Sequence, residues 1–388
     1  MVSVMTFTGK ISGLKASSLH AQYFEEYVAL AGHLDRLLVV TDTIEYLPPD
    51  LPSNLEVVKV DVVRLPEVYG VTKMAGFCLQ PLLKSVDVVY VRTFSPPELA
   101  ALWIAGTLKG IPSVLTIGGT WLFGKPHESP GVKKSVFRWI LRRAAYTASR
   151  VTLYSRYMLP EVMYFIPRID LGRVRFIHNS VNVERFRPGL RPPSSWEGDG
   201  RRKVFWVGRI NEGKGVEDLI AAFAKVATSF KDVDLWIAGT GDRQYVDHLK
   251  RRCRELGMAD RVVFPGPIPN EEVPRYMANA TVFAYPSRGG EGIPRALLEA
   301  MACEAAVVAT KVSGIPEAVI DGETGLLVGR QDVEGLSRAL ELLLADEGLA
   351  RRLGRNARAK IVSEFSHEVV IPQIASLLRE VSAERSRF

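Results

Sequence analysis

A short stretch at 282–309 holds the residues with the clearest chemistry in the sequence. It is predicted to form a strand, a Gly-rich turn, a helix, a loop and a second strand. Pro294 suits the first helical position, because a proline there loses no intrahelical hydrogen bond. The backbone N–H groups of Gly292 and Ile293 would then lie at the start of the helix, where unpaired donors and the helix dipole favour an anion. Glu291 comes just before the helix, so the stretch predicts an anion site with a carboxylate beside it.

A second carboxylate, Glu299, follows in the same helix. It lies about 7–8 Å further along the axis than Pro294, at ~1.5 Å per residue. This arrangement suits a nucleotide sugar, whose diphosphate would take the helix start. Its hydroxyl groups can donate charge-assisted hydrogen bonds of about 1.5–3 kcal/mol each to Glu291 and Glu299. Two glutamates at this spacing are most often solvated surface residues, and only the strand-turn-helix context favours a binding role.

Two cations surround an earlier turn, between a strand that ends at Gly208 and the helix after it. Arg209 and Lys214 lie at the carboxyl end of that strand, where two positive charges are suited to neutralising a diphosphate leaving group. The pattern from Gly208 to Lys214 also resembles the phosphate-binding P-loop of nucleotide hydrolases. Gly215, however, stands where such a loop needs Ser or Thr to hold Mg²⁺. The turn therefore predicts phosphate binding without the P-loop mechanism.

The elements that position these residues alternate along the chain. Apolar, β-branched runs such as 37–40, 86–91 and 204–207 are separated by stretches of helical periodicity, which indicates parallel sheets with crossover helices. The segment 187–202 is rich in Pro, Gly, Ser and charge, and it interrupts this alternation once. A chain of 388 residues is long for one core. We therefore predict two α/β domains joined by this linker, with ligands bound between them at the carboxyl ends of strands.

Composition and cysteine usage exclude several classes of protein. With 47% hydrophobic and 24% charged residues, the chain is typical of globular proteins. It has no apolar run long enough for a membrane span and no signal-peptide pattern, so we expect a cytoplasmic protein. Cys78, Cys253 and Cys303 lack the spacing of a zinc site or a disulfide framework. Asp232 and Asp234 form a D-x-D pattern, but they stand at the start of a strand, where ligands do not bind, and no metal site is predicted.

Five motifs follow one another in the C-terminal half, namely VGRINEGKGVEDLIAAF (207–223), WIAGTGD (236–242), VVFPGPI (262–268), EGIPRALLEAMA (291–302) and GIPEAVIDGETGLLV (314–328). Together they resemble the retaining glycosyltransferases of family 4, which have two Rossmann-like domains facing each other across a cleft (the GT-B fold). The resemblance implies transfer of a hexosyl unit from a UDP- or GDP-sugar to a hydroxyl of an acceptor, on a lipid or a growing glycan. It implies retention of anomeric configuration, no metal requirement, no other cofactor and no covalent sugar–enzyme intermediate.

Carried over residue by residue, the resemblance implies separate roles around the donor. It implies three catalytic residues, Arg209 and Lys214 at the donor phosphates and Glu291 at the transferred sugar. The other implied donor contacts are the backbone at Gly292, Ile293 and Pro294, Glu299 on the ribose, the backbone at Pro267 and Ile268 facing the base, and Gly13 near the diphosphate. Gly13 lies in TGKISGLKASS (8–18), which matches the Gly-rich loop of the family only loosely.

The N-terminal half departs from the family pattern. The family often carries a His after an N-terminal strand, and Gly118 stands at that position. His127, on a loop further along, is a candidate replacement, although an isolated loop His is more often a surface residue. Arg92 occupies a position where the family commonly has His, and it could place a cation near an anionic acceptor. We therefore expect a donor half that follows the family and an acceptor half that does not.

Positive charge is concentrated near one predicted helix. The net charge is +7, and residues 129–160 include seven basic residues and no acidic one. Within them, 132–146 places three basic residues on one helix face beside an apolar arc: Lys134, Arg138 and Arg142, then Val132, Val136, Trp139 and Ile140. Such a helix can lie on an anionic membrane surface, with about 1 kcal/mol for each basic residue near the headgroups. The alternative is a domain helix whose apolar arc packs on the sheet, and nothing else supports nucleic acid as a partner.

The resemblance also guides the expected domain limits. Hydrophobic patterning at 369–381 predicts a final helix, and family members often return their last helix to the N-terminal domain. We therefore expect an N-terminal, acceptor-binding domain at 1–188 with 370–388, and a C-terminal, donor-binding domain at 189–369. Two alternative functions stay open at this point, a nucleotide-sugar-binding protein that has lost transfer activity, as Gly118 would allow, and a nucleotide-sugar epimerase.

Overall fold

The computed structural model describes residues 2–8, 19–41, 44, 47–59, 86–92, 96–119 and 132–385. The chain forms two compact units, unit 1 with residues 1–178 and 367–388, and unit 2 with residues 179–366. The division at 178/179 comes earlier than the Pro- and Gly-rich segment suggested. That segment belongs to unit 2, because Trp196 is buried there, with ring centroids 5.7 Å from Phe205 and 4.9 Å from Tyr276.

Unit 1 contains a seven-stranded parallel sheet in the order β3-β2-β1-β4-β5-β6-β7. The strands are β1 (Ser3–Thr8), β2 (Arg36–Thr41), β3 (Leu55–Lys59), β4 (Val88–Val91), β5 (Ser113–Ile117), β6 (Arg150–Leu153) and β7 (Val174–Phe176). The helices described between them are α1 (Leu19–Ala31), α2 (Pro96–Lys109), α3 (Val132–Thr147) and α4 (Leu159–Phe165). Strands β4 and β5 are buried along their whole length, as expected for apolar runs in a parallel sheet with helices on both faces.

Unit 2 contains a six-stranded parallel sheet in the order β10-β9-β8-β11-β12-β13. The strands are β8 (Arg202–Val207), β9 (Val233–Ala238), β10 (Val262–Gly266), β11 (Val282–Tyr285), β12 (Ala306–Thr310) and β13 (Leu326–Val328). The helices are α5 (Val216–Ser229), α6 (Arg243–Glu255), α7 (Val273–Asn279), α8 (Arg295–Ala302), α9 (Ile315–Ala318), α10 (Val333–Ala345) and α11 (Glu347–Lys360). The prediction of two Rossmann-like α/β domains is confirmed.

The last helix, α12 (His367–Arg385), returns to unit 1. Val370, Ile371 and Leu378 of α12 are buried in the same cluster as Tyr27 of α1. This burial of apolar side chains against the sheet of unit 1 is the driving force for the return. The predicted path of the C-terminal helix is therefore confirmed. No helix in the described parts of the chain is both long enough and apolar enough to cross a bilayer.

The D-x-D pattern lies at the amino edge of the unit 2 sheet, as expected from its place before β9. Asp232 is paired with Arg202 at 2.7 Å, and Asp234 is paired with Arg201 at 2.6 Å and with Lys203 at 3.3 Å. Burial opposes ionisation of Asp234, but these cations outweigh it and lower its pKa below the usual value. Both carboxylates therefore serve an ion-pair network that ties β8 to β9.

Candidate functional site

Unit 2 has a crevice at the point where its strand order reverses. From β8 the chain adds β9 and β10 on one side of the sheet, and then β11, β12 and β13 on the other. Loops that leave β8 and β11 therefore diverge at the carboxyl ends of these two neighbouring strands. Such a switch point is where open α/β sheets bind their ligands.

Lys214 and Glu291 meet across this crevice. Lys214 lies in the short 3₁₀ turn Glu212–Lys214 after β8, and Glu291 lies in the loop after β11. The two side chains form an ion pair, and each keeps 20% of its surface exposed. Tyr285 at the end of β11 joins them, since its hydroxyl accepts a bond from Lys214 Nζ at 3.0 Å and donates to Glu291 Oε2 at 2.8 Å. Ser287 adds a third contact to Glu291, because its hydroxyl donates to Oε2 at 3.1 Å.

The cluster is partly buried and its hydrogen bonds have a fixed direction. Burial and the neighbouring Glu291 carboxylate raise the pKa of Tyr285 well above its usual value. The Tyr285 hydroxyl therefore stays protonated and can donate to Glu291 throughout the physiological pH range. Lys214 Nζ also lies 5.6 Å from the centroid of the Tyr285 ring, within the range of a cation–π contact.

The two loops are clamped together by further contacts. The N–H of Arg288 donates to the carbonyl of Gly213 at 2.8 Å, and its guanidinium holds Asp218 of α5 through two bonds of 2.9 and 2.8 Å. Gly215 adopts φ +68°, and a Cβ there would lie 1.9 Å from the Pro286 carbonyl oxygen. Only glycine allows the loops to approach so closely. Gly215, which differs from the Ser or Thr of a P-loop, is therefore needed here for the close approach of the two loops.

The helix after Glu291 begins one residue later than predicted. Pro294 is the N-cap, with φ −66° and ψ 128°, and α8 begins at Arg295. The preceding turn is held in place by two carbonyl contacts, since Gly292 O accepts from Gly314 N at 2.9 Å and Ile293 O accepts from Asn179 Nδ2 at 2.8 Å. The helix therefore starts from the loop that carries Glu291, at the carboxyl end of β11. An anion there is favoured by the N–H groups of the first helical turn.

Glu299 lies in α8 and is only 4% exposed. Burial and the charge of Glu299 raise the pKa of the Cys303 thiol, and burial raises that of Cys253 to about 11. These two cysteines are therefore buried thiols of low reactivity, whereas Cys78 lies outside the described residues.

Arg209 lines a cavity of about 550 Å³ at the carboxyl ends of β8 and β9. Thr240, Asp242 and Tyr245 contribute to the same wall. The Tyr245 hydroxyl is buried and has no hydrogen-bond partner among the described residues. Because a buried hydroxyl without a partner is costly, this group is available to a ligand in the cavity.

The remaining predicted donor residues follow the neighbouring strand. Pro267 and Ile268 come directly after β10, at the same edge of the sheet. Pro267 is exposed and Ile268 is buried. Unit 2 therefore places Arg209, Lys214, Glu291, Pro267 and Ile268 in loops at the carboxyl edge of its sheet, whereas Glu299 lies further along α8. Gly13 and His127 lie outside the described residues.

The corresponding crevice of unit 1 lies between β1 and β4, and Arg92 follows β4. Arg92 is 4% exposed and forms an ion pair with Glu26 of α1. Burial opposes its charge, but Glu26 and nearby tyrosines outweigh this effect and raise the pKa of the guanidinium. This corrects the expectation of an available cation at Arg92, because Glu26 already neutralises it inside the unit.

Gly118, after β5, is explained by its contact with Tyr154. A Cβ on Gly118 would lie 2.6 Å from Cε2 of the Tyr154 ring. Tyr154 follows the neighbouring strand β6, and its hydroxyl accepts a bond from Arg92 at 3.2 Å. The ring therefore fills the space that a histidine at 118 would occupy.

Helix α3 combines features of the two alternatives for the basic stretch. Its predicted apolar arc is divided, since Ile140 is buried whereas Val136 and Trp139 are 52% and 48% exposed. The basic face is partly packed, because Arg142 Nε donates to the Phe165 carbonyl at 2.7 Å. The helix therefore presents aromatic and apolar groups to the surface beside basic ones.

Sequence reasoning missed Tyr285 and Ser287, and also the clamp between Asp218 and Arg288. Tyr285 had a detectable signal, because it puts a polar tip at the carboxyl end of an otherwise apolar strand. The clamp joins residues 70 positions apart and had no local signal. Among the described residues, no cluster of three or more His, Cys, Asp or Glu side chains forms a candidate metal site.

Comparisons with known proteins agree with this architecture. The model of Glycosyltransferase Family 4 matches residues 21–185, and that of Glycosyl transferases group 1 matches 192–360. Sucrose-phosphate synthase from Thermosynechococcus elongatus shares the fold, with a TM-score of 0.81, 20% identity and coverage of 99% of this chain and 100% of that one. HepE from Anabaena, solved with UDP and glucose, has a TM-score of 0.76 at 21% identity, with coverage of 98% and 100%.

Two relatives in Mycolicibacterium smegmatis are more similar in sequence. Alpha-maltose-1-phosphate synthase is 34% identical over 72% of this chain and 76% of its own length. The GDP-mannose-dependent alpha-(1-6)-phosphatidylinositol monomannoside mannosyltransferase is 34% identical over 65% of this chain and 68% of its own. With both units matched by family models and a relative of this similarity, the chain belongs to the group 1, family 4 glycosyltransferases, as a hexosyltransferase of the GT-B fold.

Proposed function

We propose that the protein moves a hexosyl unit from a UDP- or GDP-sugar to an acceptor hydroxyl with retention of anomeric configuration. The observation that carries this proposal is the Lys214–Glu291 pair at the switch point of unit 2. It supplies a cation and a carboxylate at the one place in the sheet where loops diverge around a ligand. A diphosphate and a sugar hydroxyl are the two groups that would separate such a pair.

The donor phosphates would take the place of Glu291 as partners of Lys214. Arg209 adds a second cation from the neighbouring cavity, and the start of α8 adds oriented N–H groups. As the sugar–phosphate bond breaks, negative charge grows on the leaving diphosphate. Groups fixed around that charge stabilise the transition state more than the ground state. This assignment needs no metal ion at the phosphates.

Glu291 would then accept hydrogen bonds from hydroxyls of the transferred sugar. Tyr285 and Ser287 hold its Oε2 in position. Glu299, buried within α8, would receive the ribose hydroxyls. Retaining glycosidases place a nucleophile and an acid about 5 Å apart, but here Tyr285 and Ser287 both donate to Glu291 Oε2. We therefore assign it to binding and propose no covalent sugar–enzyme intermediate.

The acceptor side is proposed to involve a membrane surface. One relative is named for a phosphatidylinositol monomannoside and for GDP-mannose, which supports a lipid-linked acceptor and a GDP-sugar donor as the first to test. The exposed Val136 and Trp139 beside the basic residues of α3 support contact with an anionic lipid surface. Co-sedimentation with vesicles of phosphatidylcholine, with and without phosphatidylglycerol, tests this, and equal binding to both vesicle types would contradict it.

A thermal-shift screen of UDP-, GDP- and ADP-sugars tests the donor proposal. Only the true donor should stabilise the protein, by about 2.7 kcal/mol at a concentration 100 times its dissociation constant. The same screen on Lys214→Ala should show a much smaller shift. If no sugar nucleotide stabilises the wild-type protein, the donor assignment fails.

A further inference from the structure

A pocket of about 670 Å³ opens on unit 1 between the C-terminal half of α3, the start of β6 and the segment 167–173. Helix α3 ends at Thr147 and β6 begins at Arg150, so the pocket lies at the amino edge of the sheet. Gly118 and Tyr154, by contrast, follow the carboxyl ends of their strands. The length of β6, about 13 Å for four residues at ~3.3 Å each, separates the pocket from that edge. It is therefore distinct from the carboxyl edge where transfer is proposed.

The pocket is strongly cationic. Its lining includes Arg142, Arg143, Arg168 and Arg173, against the single carboxylate of Asp170. Asp170 is already paired with Arg173 at 3.3 Å. Three guanidinium groups thus remain without a carboxylate partner among the residues that the structure describes. Like charges gathered around one cavity repel each other, and a bound anion removes that repulsion.

Several of these guanidinium groups are held in position before any ligand arrives. Arg142 Nε donates to the Phe165 carbonyl at 2.7 Å, and Arg173 donates to the Ala148 carbonyl at 3.5 Å. Arg143 lies over the Trp139 ring, 5.7 Å from its centroid. Arg168 has no hydrogen bond or ion pair with any described residue. Orientation of most of the set lowers the entropy lost when an anion binds.

We propose that this pocket binds a phosphate group of an anionic ligand at a site separate from the sugar donor. The planar guanidinium fork matches the oxygens of a phosphate, and several forks around one cavity are the usual means of recognising it. The volume falls within the range of roughly 300–1,000 Å³ that is typical of small-ligand sites. Trp139 and Tyr146 at the pocket wall offer apolar contact to the rest of the ligand. The phosphate belongs either to a lipid headgroup or to a free phosphorylated compound.

Calorimetry with inorganic pyrophosphate tests the pocket in the full-length protein. The double variant R143Q/R168Q should weaken one class of binding site at least tenfold, because two charged donors are lost. The variant K109Q removes an exposed charge from α2, outside the pocket, and should change that site less than twofold. We expect pyrophosphate to bind the proposed donor site as well, so Lys214→Ala is measured in parallel and should weaken a different class of sites.

Vesicles separate the two sources of the phosphate. If R143Q/R168Q also loses binding to phosphatidylcholine vesicles that contain phosphatidylglycerol, the ligand is a lipid headgroup. If vesicle binding is unchanged while pyrophosphate binding is lost, the ligand is a free phosphorylated compound. The proposal is overturned if R143Q/R168Q matches K109Q with both probes. The sugar nucleotide should stabilise R143Q/R168Q as much as it stabilises the wild type. Failure of the phosphate-pocket proposal would therefore leave the donor assignment unaffected.

Discussion

An ion pair lies at the switch point of each sheet, and the two pairs differ in exposure. Lys214 and Glu291 of unit 2 each keep 20% of their side-chain surface exposed, whereas Arg92 and Glu26 of unit 1 keep 2% and 0%. A partly exposed pair can exchange its partners for those of a ligand. A buried pair cannot, because separating it leaves uncompensated charge in a medium of low polarity. The same topology therefore places a partly accessible ion pair in unit 2 and a buried, structural one in unit 1.

The surroundings of the two pairs extend this contrast. Arg92 also donates a hydrogen bond to Tyr154, and its charge acts on the buried Tyr90. Burial raises the pKa of Tyr90 to about 12, and the charge of Arg92 offsets only part of this rise. Lys214, in contrast, lies beside an open crevice. At its switch point, unit 1 therefore uses its charged residues for internal contacts. At the equivalent point of unit 2, the charged residues remain accessible.

Breaking the buried pair should have the largest effect on the protein. Arg92→Met leaves Glu26 buried without its cation and should lower the free energy of unfolding by about 3–5 kcal/mol. Urea unfolding measured by circular dichroism gives this value. The double variant Arg92→Met/Glu26→Gln should recover part of the loss, because no charge is then left unpaired. A single variant as stable as the wild type would contradict a structural role for the pair.

Breaking the exposed pair should instead affect catalysis. Lys214→Ala should lower kcat by about 10²–10³-fold with the fold intact, because the phosphate charge that it stabilises grows in the transition state. The measurement is sugar transfer or donor hydrolysis with the donor that the thermal-shift screen identifies. Lys225→Ala is the matched control, since it breaks an exposed pair with Glu334 in the same unit. Equal rates for Lys214→Ala and Lys225→Ala would remove Lys214 from the catalytic groups.

A substitution at Gly118 tests whether packing against Tyr154 explains why glycine stands at the position of the family histidine. Gly118→Ala forces a methyl group to 2.6 Å from the Tyr154 ring and should destabilise the protein by about 1–3 kcal/mol. Gly32→Ala meets only the Ala29 carbonyl oxygen at 3.4 Å and serves as the control. Thermal unfolding of the two variants measures the difference. If Gly118→Ala is as stable as Gly32→Ala, the ring does not explain the glycine.

The contrast between the units also explains what the sequence could predict. The residues of unit 2 lie in short motifs whose strand-turn-helix context is local, so Lys214 and Glu291 could be assigned to one edge from the sequence alone. The burial of Arg92 depends on Glu26, which lies 66 positions earlier and on another element. The contact between Gly118 and Tyr154 likewise joins two different strands. No local pattern reveals either contact.

Boundaries were less predictable than the elements themselves. Composition predicts a linker at 187–202, but the aromatic contacts of Trp196 make this segment part of unit 2. Pro294 was expected inside α8 and is its N-cap instead, a difference of the size usual for helix ends. The boundary at 187–202 depends on tertiary packing, which no local sequence pattern reveals.

The smallest expected effect concerns the hydroxyl that links the exposed pair. Tyr285→Phe removes the bonds to Lys214 and Glu291 but keeps the ring, and should weaken donor binding by about 0.5–1.5 kcal/mol, or roughly 2–12-fold. Because burial keeps the Tyr285 hydroxyl protonated, the loss should be the same across the neutral pH range. Tyr276→Phe, which loses a hydroxyl bonded to Ser195 elsewhere in unit 2, should leave donor affinity unchanged. Titration of both variants with the donor distinguishes a positioning role for Tyr285 from a general effect of losing a hydroxyl. Equal affinities for the two variants would mean that Lys214 and Glu291 hold their positions without Tyr285.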